Sequence, residues 1–223
     1  IEDNTLGNLV HESLKELYAP CIGKELSQEL LKEIKGNIEK ELTVQFKLQL
    51  NTVTLKGNHK LTFEVAKKFI KHQLEHDLSD VKKGHKIVIK ELEQDHSCNF
   101  KLKINDELEV NFNLFGKIDR IDEKDGAIRI IDYKTGGTLA GDVRNKKLEH
   151  LLENKSPKSV QLMLYKYMYW CNHQQKVDSG IISLKNISSG YMKLDKKEWK
   201  EDFEELLKFS AHKLLIDNNP LEH

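Results

Sequence analysis

The dipeptide Asp125-Gly126 separates two runs of strand-like alternation, Leu108 to Asp122 and Ala127 to Tyr133, and this juxtaposition constrains the fold more than any other feature of the chain. Asp-Gly between such runs predicts a two-residue hairpin turn, because both central residues of that turn take a positive φ. Lys124 then pairs with Ala127, and the ladder sets Asp119 directly opposite Asp132. A four-residue loop keeps this pairing, whereas a three-residue loop with a bulge breaks it.

Opposed residues share a face of the sheet and hold their Cβ atoms ~4.5–5.5 Å apart. Asp132 and Lys134, two apart on one strand, also share a face, ~6–7 Å apart. Two carboxylates so placed repel each other unless a cation lies between them. Hard oxygen ligands, few in number and with room for water, suit Mg²⁺ or Mn²⁺. Such a cation acidifies a bound water, and Lys134 beside it could orient that water or stabilise negative charge in the transition state. The same charges also fit a surface hairpin that simply faces water. In that case Asp122 opposite Arg129 is an ordinary cross-strand ion pair on the other face.

Around the hairpin the periodicity changes twice. Asp3, Asn4 or Thr5 can cap a helix with Leu6, Leu9, Val10, Leu14 and Leu17 on one face, ended by Pro20. Further amphipathic helices are predicted over 25–41 and 61–78, with no assignment for 44–55. Strands begin at Ile87-Val88-Ile89 and again at Phe100 to Ile104. Helical pattern resumes near 145–153 and, after Ser156-Pro157, over 159–171. A buried strand is predicted at Val177 to Leu184, with a short partner near Tyr191. A last helix carries Trp199, Phe203, Leu206, Leu207, Leu214 and Leu215 on its apolar face. The order predicts one mixed α/β (α+β) domain over 1–220.

Basic and acidic residues balance at 36 each, so no global field attracts a polyanion. Any nucleic-acid contact must come from a local patch, from metal ions or from a neighbouring domain. No stretch approaches the ~20 apolar residues of a membrane span, and there is no signal peptide, which points to a cytoplasmic protein. Cys21, Cys98 and Cys171 are odd in number, far apart in the chain and in no CxxC pair, which argues against a disulfide framework and a structural zinc site. A first residue Ile1 and a closing Leu221-Glu222-His223, like the start of a purification tag, suggest a fragment of a larger protein.

Gly116-Lys117-Ile118-Asp119-Arg120-Ile121-Asp122 followed by Ile130-Ile131-Asp132-Tyr133-Lys134-Thr135-Gly136 resembles the PD-(D/E)XK nuclease superfamily, and more narrowly the RecB/AddB-type nuclease domain of bacterial helicase–nucleases. Leu6-Gly7-Asn8-Leu9-Val10-His11-Glu12 is similar to that lineage's N-terminal helix, which supplies a histidine metal ligand. Gln161-Leu162-Met163-Leu164-Tyr165 is similar to its Q-x-x-x-Y motif. The motifs stand in family order.

The resemblance implies a restriction-endonuclease-like core, a mixed sheet whose antiparallel catalytic hairpin is flanked by helices. It implies that His11, Asp119 and Asp132 ligate the metal with the backbone carbonyl of Tyr133, and that Lys134 is the catalytic lysine. Gln161 and Tyr165 would line the site, contacting DNA or positioning the lysine. Outside that context His11 fits a surface or satisfied core residue, and Tyr165 fits a core cluster with Tyr167, Tyr169 and Trp170. Glu91 or Glu93 matches an acidic position of the family, with no basis to choose between them. Lys146, Lys147, Lys155 and Lys158 fit either a phosphate-facing patch or a solvated face. Some relatives carry four cysteines around an iron–sulfur cluster; three at unrelated spacings predict none here.

The implied activity is Mg²⁺- or Mn²⁺-dependent hydrolysis of DNA phosphodiesters, as an exonuclease acting on single- or double-stranded ends. The implied partner is a helicase domain or subunit in recombination and repair. Rival readings are a restriction-type or RNA-directed nuclease of the same fold, and a degenerate nuclease fold serving as a DNA-binding scaffold.

Overall fold

Three long helices precede every strand: α1 (Asp3–Tyr18), α2 (Gln28–Leu50) and α3 (Asn58–Lys82). The computed structural model describes residues 3–50, 56–144, 147–153, 155–195 and 197–217. In α1 the predicted stripe is the packed one, with Leu9, Val10, Leu14 and Leu17 all buried. Pro20 ends α1 in a 3₁₀ turn, Ala19–Cys21. The Ser27 hydroxyl then accepts the Leu30 N–H at 3.1 Å and so caps α2. This helix runs on to Leu50, which covers part of the unassigned 44–55; residues 51–55 lie outside the described ones. Continuous burial of Leu31, Ile34, Ile38, Leu42 and Phe46 carries it past Glu41.

Five strands follow in one sheet, in the order β1 (Ile87–Lys103), β2 (Glu109–Lys124), β3 (Ala127–Lys134), β4 (Asp178–Ser183), β5 (Tyr191–Lys193). Strand β1 is continuous where the sequence suggested two pieces, because β2 pairs with it along its whole length, from Ile87–Lys124 to Lys103–Glu109. The β2–β3 turn has φ values of 52° at Asp125 and 81° at Gly126, the signature expected of Asp-Gly. The ladder therefore runs in the expected register, from Lys124–Ala127 to Arg120–Ile131.

Strand β4 pairs parallel to β3 and antiparallel to β5. A parallel connection needs a long crossover, supplied here by the short helix α4 (Leu148–Leu152) and by α5 (Pro157–His173). A final helix, α6, spans Trp199–Asp217. The mixed sheet thus lies between α1–α3 on one face and α5–α6 on the other, an α/β/α sandwich. Central strand β3 is apolar on both sides: Ile131 and Tyr133 pack with α1–α3, and Ile130 packs with α5 and α6. Burying a side chain of that size contributes roughly 1.5–3 kcal/mol.

Two expectations need correction. Leu214 is exposed rather than on the buried face of α6, where Trp199, Phe203, Leu206 and Leu207 pack as expected; the Leu215 side chain lies outside the described residues. The Asp122–Arg129 pair does oppose across the hairpin but does not face water: Asp122 is 0 % exposed and Arg129 7 %. Helix α3 and Tyr191 cover that face. Asp77 of α3 reaches Arg120 at 2.8 Å, and the Arg129 guanidinium lies 5.2 Å over the Tyr191 ring.

Candidate active site

Past the Arg120–Ile131 pair the β2–β3 ladder ends, and the next two positions, Asp119 and Asp132, stand where the strands part. Both are buried, at 8 % and 2 % exposure. The separation leaves the Tyr133 N–H without a cross-strand carbonyl, and Asp119 Oδ2 accepts it at 2.7 Å. Asp119 is thereby held by the strand it faces.

On the other edge of β2, Glu93 lies between the β1 partners Leu92–Arg120 and Gln94–Ile118, which sets it opposite Asp119. The register slips by one residue between Ile89 and Glu91, and Glu93 takes a φ of 48°. The slip precedes both acids and shifts them together, so the left-handed φ of Glu93 is what sets it apart from Glu91. Glu93 reaches His11 of α1 at 3.1 Å, while Glu91 accepts from His96 Nε2 at 2.8 Å instead. Of the two acids left open by the sequence, Glu93 is the one at the site.

His11 arrives from the middle of α1. Its Nδ1 lies 3.1 Å from Glu93 Oε1 and 3.4 Å from Asp119 Oδ1, and its Nε2 donates to the Tyr133 carbonyl at 3.2 Å. Burial works against a charged imidazole, but hydrogen bonds to Asp119 and Glu93 and their negative charge outweigh it, raising the His11 pKa to about 10. Donor atoms of His11, Glu93 and Asp119 all lie within 4.8 Å of one another, a group that could hold a metal ion. One imidazole, two carboxylates and an adjacent carbonyl suit a hard divalent cation.

Asp132 is beside this group and bound elsewhere. Lys134 Nζ lies 2.9 Å from Asp132 Oδ2 and 3.1 Å from Oδ1. Burial, then the charge of Asp119, pushes the Asp132 carboxyl up to about 6. Lys134 also donates to Gln161 Oε1 at 3.0 Å, and Gln161 Nε2 donates to the Tyr165 hydroxyl at 2.8 Å. Burial, then the charge of Asp132, raises the Tyr165 phenol, which stays protonated. The ring of Tyr165 reaches this position because residue 116 is glycine: a Cβ there would lie 3.3 Å from Tyr165 Cε1 and 3.2 Å from Met168 Cε. A relay thus runs from α5 through Gln161 to Lys134 and Asp132.

Among the four lysines after β3, Lys158 pairs with Asp142 at 2.9 Å and donates to the Gly137 carbonyl, and Lys155 pairs with Glu153 at 2.6 Å. Lys147 is exposed at the start of α4, and Lys146 lies outside the described residues. All three cysteines are free thiols.

Carboxylates, a histidine and a lysine converging where two strands of a helix-flanked mixed sheet part define a restriction-endonuclease-like class of protein. The chain belongs to the PD-(D/E)XK nuclease superfamily, which it matches over residues 1–218. Neither curated proteins nor solved structures yield a match. Membership makes it one of a family of metal-dependent nucleases that hydrolyse phosphodiesters. No helix among the described residues is long and apolar enough to cross a membrane.

Proposed function

We propose that this chain is a Mg²⁺- or Mn²⁺-dependent deoxyribonuclease that degrades DNA from its ends, fed by a helicase domain or subunit in recombination and repair. The observation that carries the reading is the convergence of His11, Glu93 and Asp119 within 4.8 Å, beside the Asp132–Lys134 pair. A scaffold has no need to bury mutually repelling carboxylates at one end of its sheet.

His11, Asp119, Asp132 and the Tyr133 carbonyl are the proposed ligands, with Glu93 added to them by its place beside His11. When bound, the cation supplies positive charge that offsets the phosphate and acidifies water. His11 must be neutral to ligate, so its proton leaves from a nitrogen now facing a carboxylate or carbonyl. Lys134 is the catalytic residue. Its ammonium has three donors, of which Asp132 and Gln161 occupy two. The third is left for the attacking water or a phosphate oxygen, where it meets negative charge as the transition state forms. Gln161 and Tyr165 hold Lys134 and form the wall along which the nucleic acid passes.

The test compares wild type with Lys134→Ala and Asp119→Ala on linear single- and double-stranded DNA and on RNA, with Mg²⁺, Mn²⁺ or EDTA. Metal-dependent release of nucleotides from DNA ends, lost in both variants, is the expected result. Degradation that survives either substitution or persists in EDTA overturns the mechanism. Internal cuts, or a preference for RNA, would move the assignment to a restriction-type or RNA-directed enzyme. An inert wild type with metal present favours the scaffold.

A further inference from the structure

The Asp-Arg dipeptide of the hairpin motif puts Arg120 next to Asp119, and Arg120 is a fully buried arginine, 0 % exposed. Its Nη1 donates to Asp77 Oδ2 of α3 at 2.8 Å and lies 3.3 Å from the Tyr133 hydroxyl. Its Nη2 lies 2.7 Å from Asp122 Oδ2, and its guanidinium stacks 5.3 Å over the ring of Tyr18 of α1. Tyr18 in turn donates its hydroxyl to the same Asp77 Oδ2 at 2.6 Å. With Arg129 bound in a fork to Asp122, the cluster holds two cations and two anions, so its net charge is zero.

Hydrophobic residues of similar volume would fill such a place at equal or lower cost. What they would not supply is direction. Tyr18 lies on the same helix as His11, and Tyr133 carries both the carbonyl that His11 contacts and the N–H that Asp119 accepts. Asp77 and Arg120 therefore hold α1 to the hairpin at a second point, separate from His11 itself. Without that second point, apolar packing and the imidazole are what set α1 against the carboxylates. We infer that Asp77, Arg120 and Tyr18 are positioning residues, a buried clamp that sets the distance between His11 and the Asp119 carboxylate before any cation arrives. The inference rests on the metal-binding reading of the site.

The experiment measures Mn²⁺ affinity by electron paramagnetic resonance, with urea stability in EDTA alongside, for wild type, Tyr18→Phe, Arg120→Lys and a control, Leu42→Val, in the core of α2. Supporting residues around a metal ligand change affinity by about tenfold or more, and that weakening is the expected result for Arg120→Lys, with a smaller one for Tyr18→Phe. Tyr18→Phe removes one hydroxyl and keeps the ring, so it remains informative if Arg120→Lys fails to fold. Leu42→Val is expected to lower stability and leave Mn²⁺ affinity unchanged. Unchanged affinity in the folded clamp variants overturns the clamp alone, leaving the site reading intact. A wild type that binds no Mn²⁺ overturns the site reading and the clamp with it. An equal loss of affinity in Leu42→Val makes the effect one of general stability and overturns the clamp.

Discussion

Tyr133 and Asp119 are joined through the backbone: the Tyr133 N–H donates to Asp119 Oδ2 at 2.7 Å, where the β2–β3 ladder has just ended. A side-chain carboxylate replaces the missing cross-strand carbonyl. The amide is satisfied, and the other oxygen of Asp119 is left facing His11.

This separates charge from geometry in a substitution. Asp119→Asn keeps an oxygen for the Tyr133 amide but removes a negative charge that both repels Asp132 and favours the protonated His11. The two effects oppose each other in the metal-free protein, which is expected to stay folded, with stability in EDTA within about 1 kcal/mol of wild type. Metal binding and hydrolysis are expected to be lost together, as calorimetry and a nuclease assay would show.

Lys134 and Gln161 differ in kind. Removing a charge-stabilising donor costs about 10²–10³ in kcat, the expectation for Lys134→Ala, with metal affinity retained. Gln161 acts through Lys134, so Gln161→Ala should cost about tenfold. Gln161→Glu, which keeps an acceptor for the ammonium, should recover most of that loss.

The metal-free site holds protons that a cation must displace. His11 is raised to about 10 and Asp132 to about 6. Below pH 6 both sites are protonated, and Mn²⁺ affinity should be low. It should rise as pH passes 6 and continue rising toward 10, with proton release seen as a buffer-dependent binding enthalpy. For stability without metal the sign is opposite. The raised His11 contributes fully below its unfolded value of about 6.5, and that contribution is lost as pH rises through its folded value. Melts in EDTA between pH 6 and 10 would show the decline.

Asp77 carries the reverse case. Burial opposes its charge, but the adjacent Arg120 guanidinium, with hydrogen bonds from Arg120 and Tyr18, holds its carboxyl well below the usual range. Its stabilisation is present above the unfolded carboxylate value of about 3.9 and is lost as pH falls toward the depressed folded value. Acid unfolding should therefore steepen below about pH 4. Asp77→Ala leaves Arg120 short of a buried partner and should cost about 3–5 kcal/mol in urea at pH 7.

Gly116→Ala tests the wall between β2 and α5. A Cβ at 3.2–3.3 Å from Met168 and Tyr165 forces one of them aside. A loss of about 1–3 kcal/mol is the expected cost of such overpacking. Activity should fall further than stability explains, since Tyr165 braces Gln161.

Much of the hairpin was legible because its determinants are local. Asp125-Gly126 sets the turn, the turn sets the register, and alternation places Asp119, Asp132 and Lys134 near one end of it. The helices around it were legible as stripes, though their ends were not, since packing rather than propensity carried α2 to Leu50. The choice of Glu93 over Glu91 was hidden, because the two stand two apart on one strand and a left-handed φ at Glu93 leaves no mark on composition or spacing. The two faces of the hairpin also look alike as strings of alternating charge. Only α3, packed over one of them, decides that Arg120, Asp122 and Arg129 are buried there. His11 meets the Tyr133 carbonyl across 122 residues of sequence, and Asp77 meets Arg120 across 43. By itself the sequence determined the chemistry available at the site and the register that brings two carboxylates together. The tertiary structure alone decided which distant groups complete it, because those contacts depend on helix docking, which no local preference encodes.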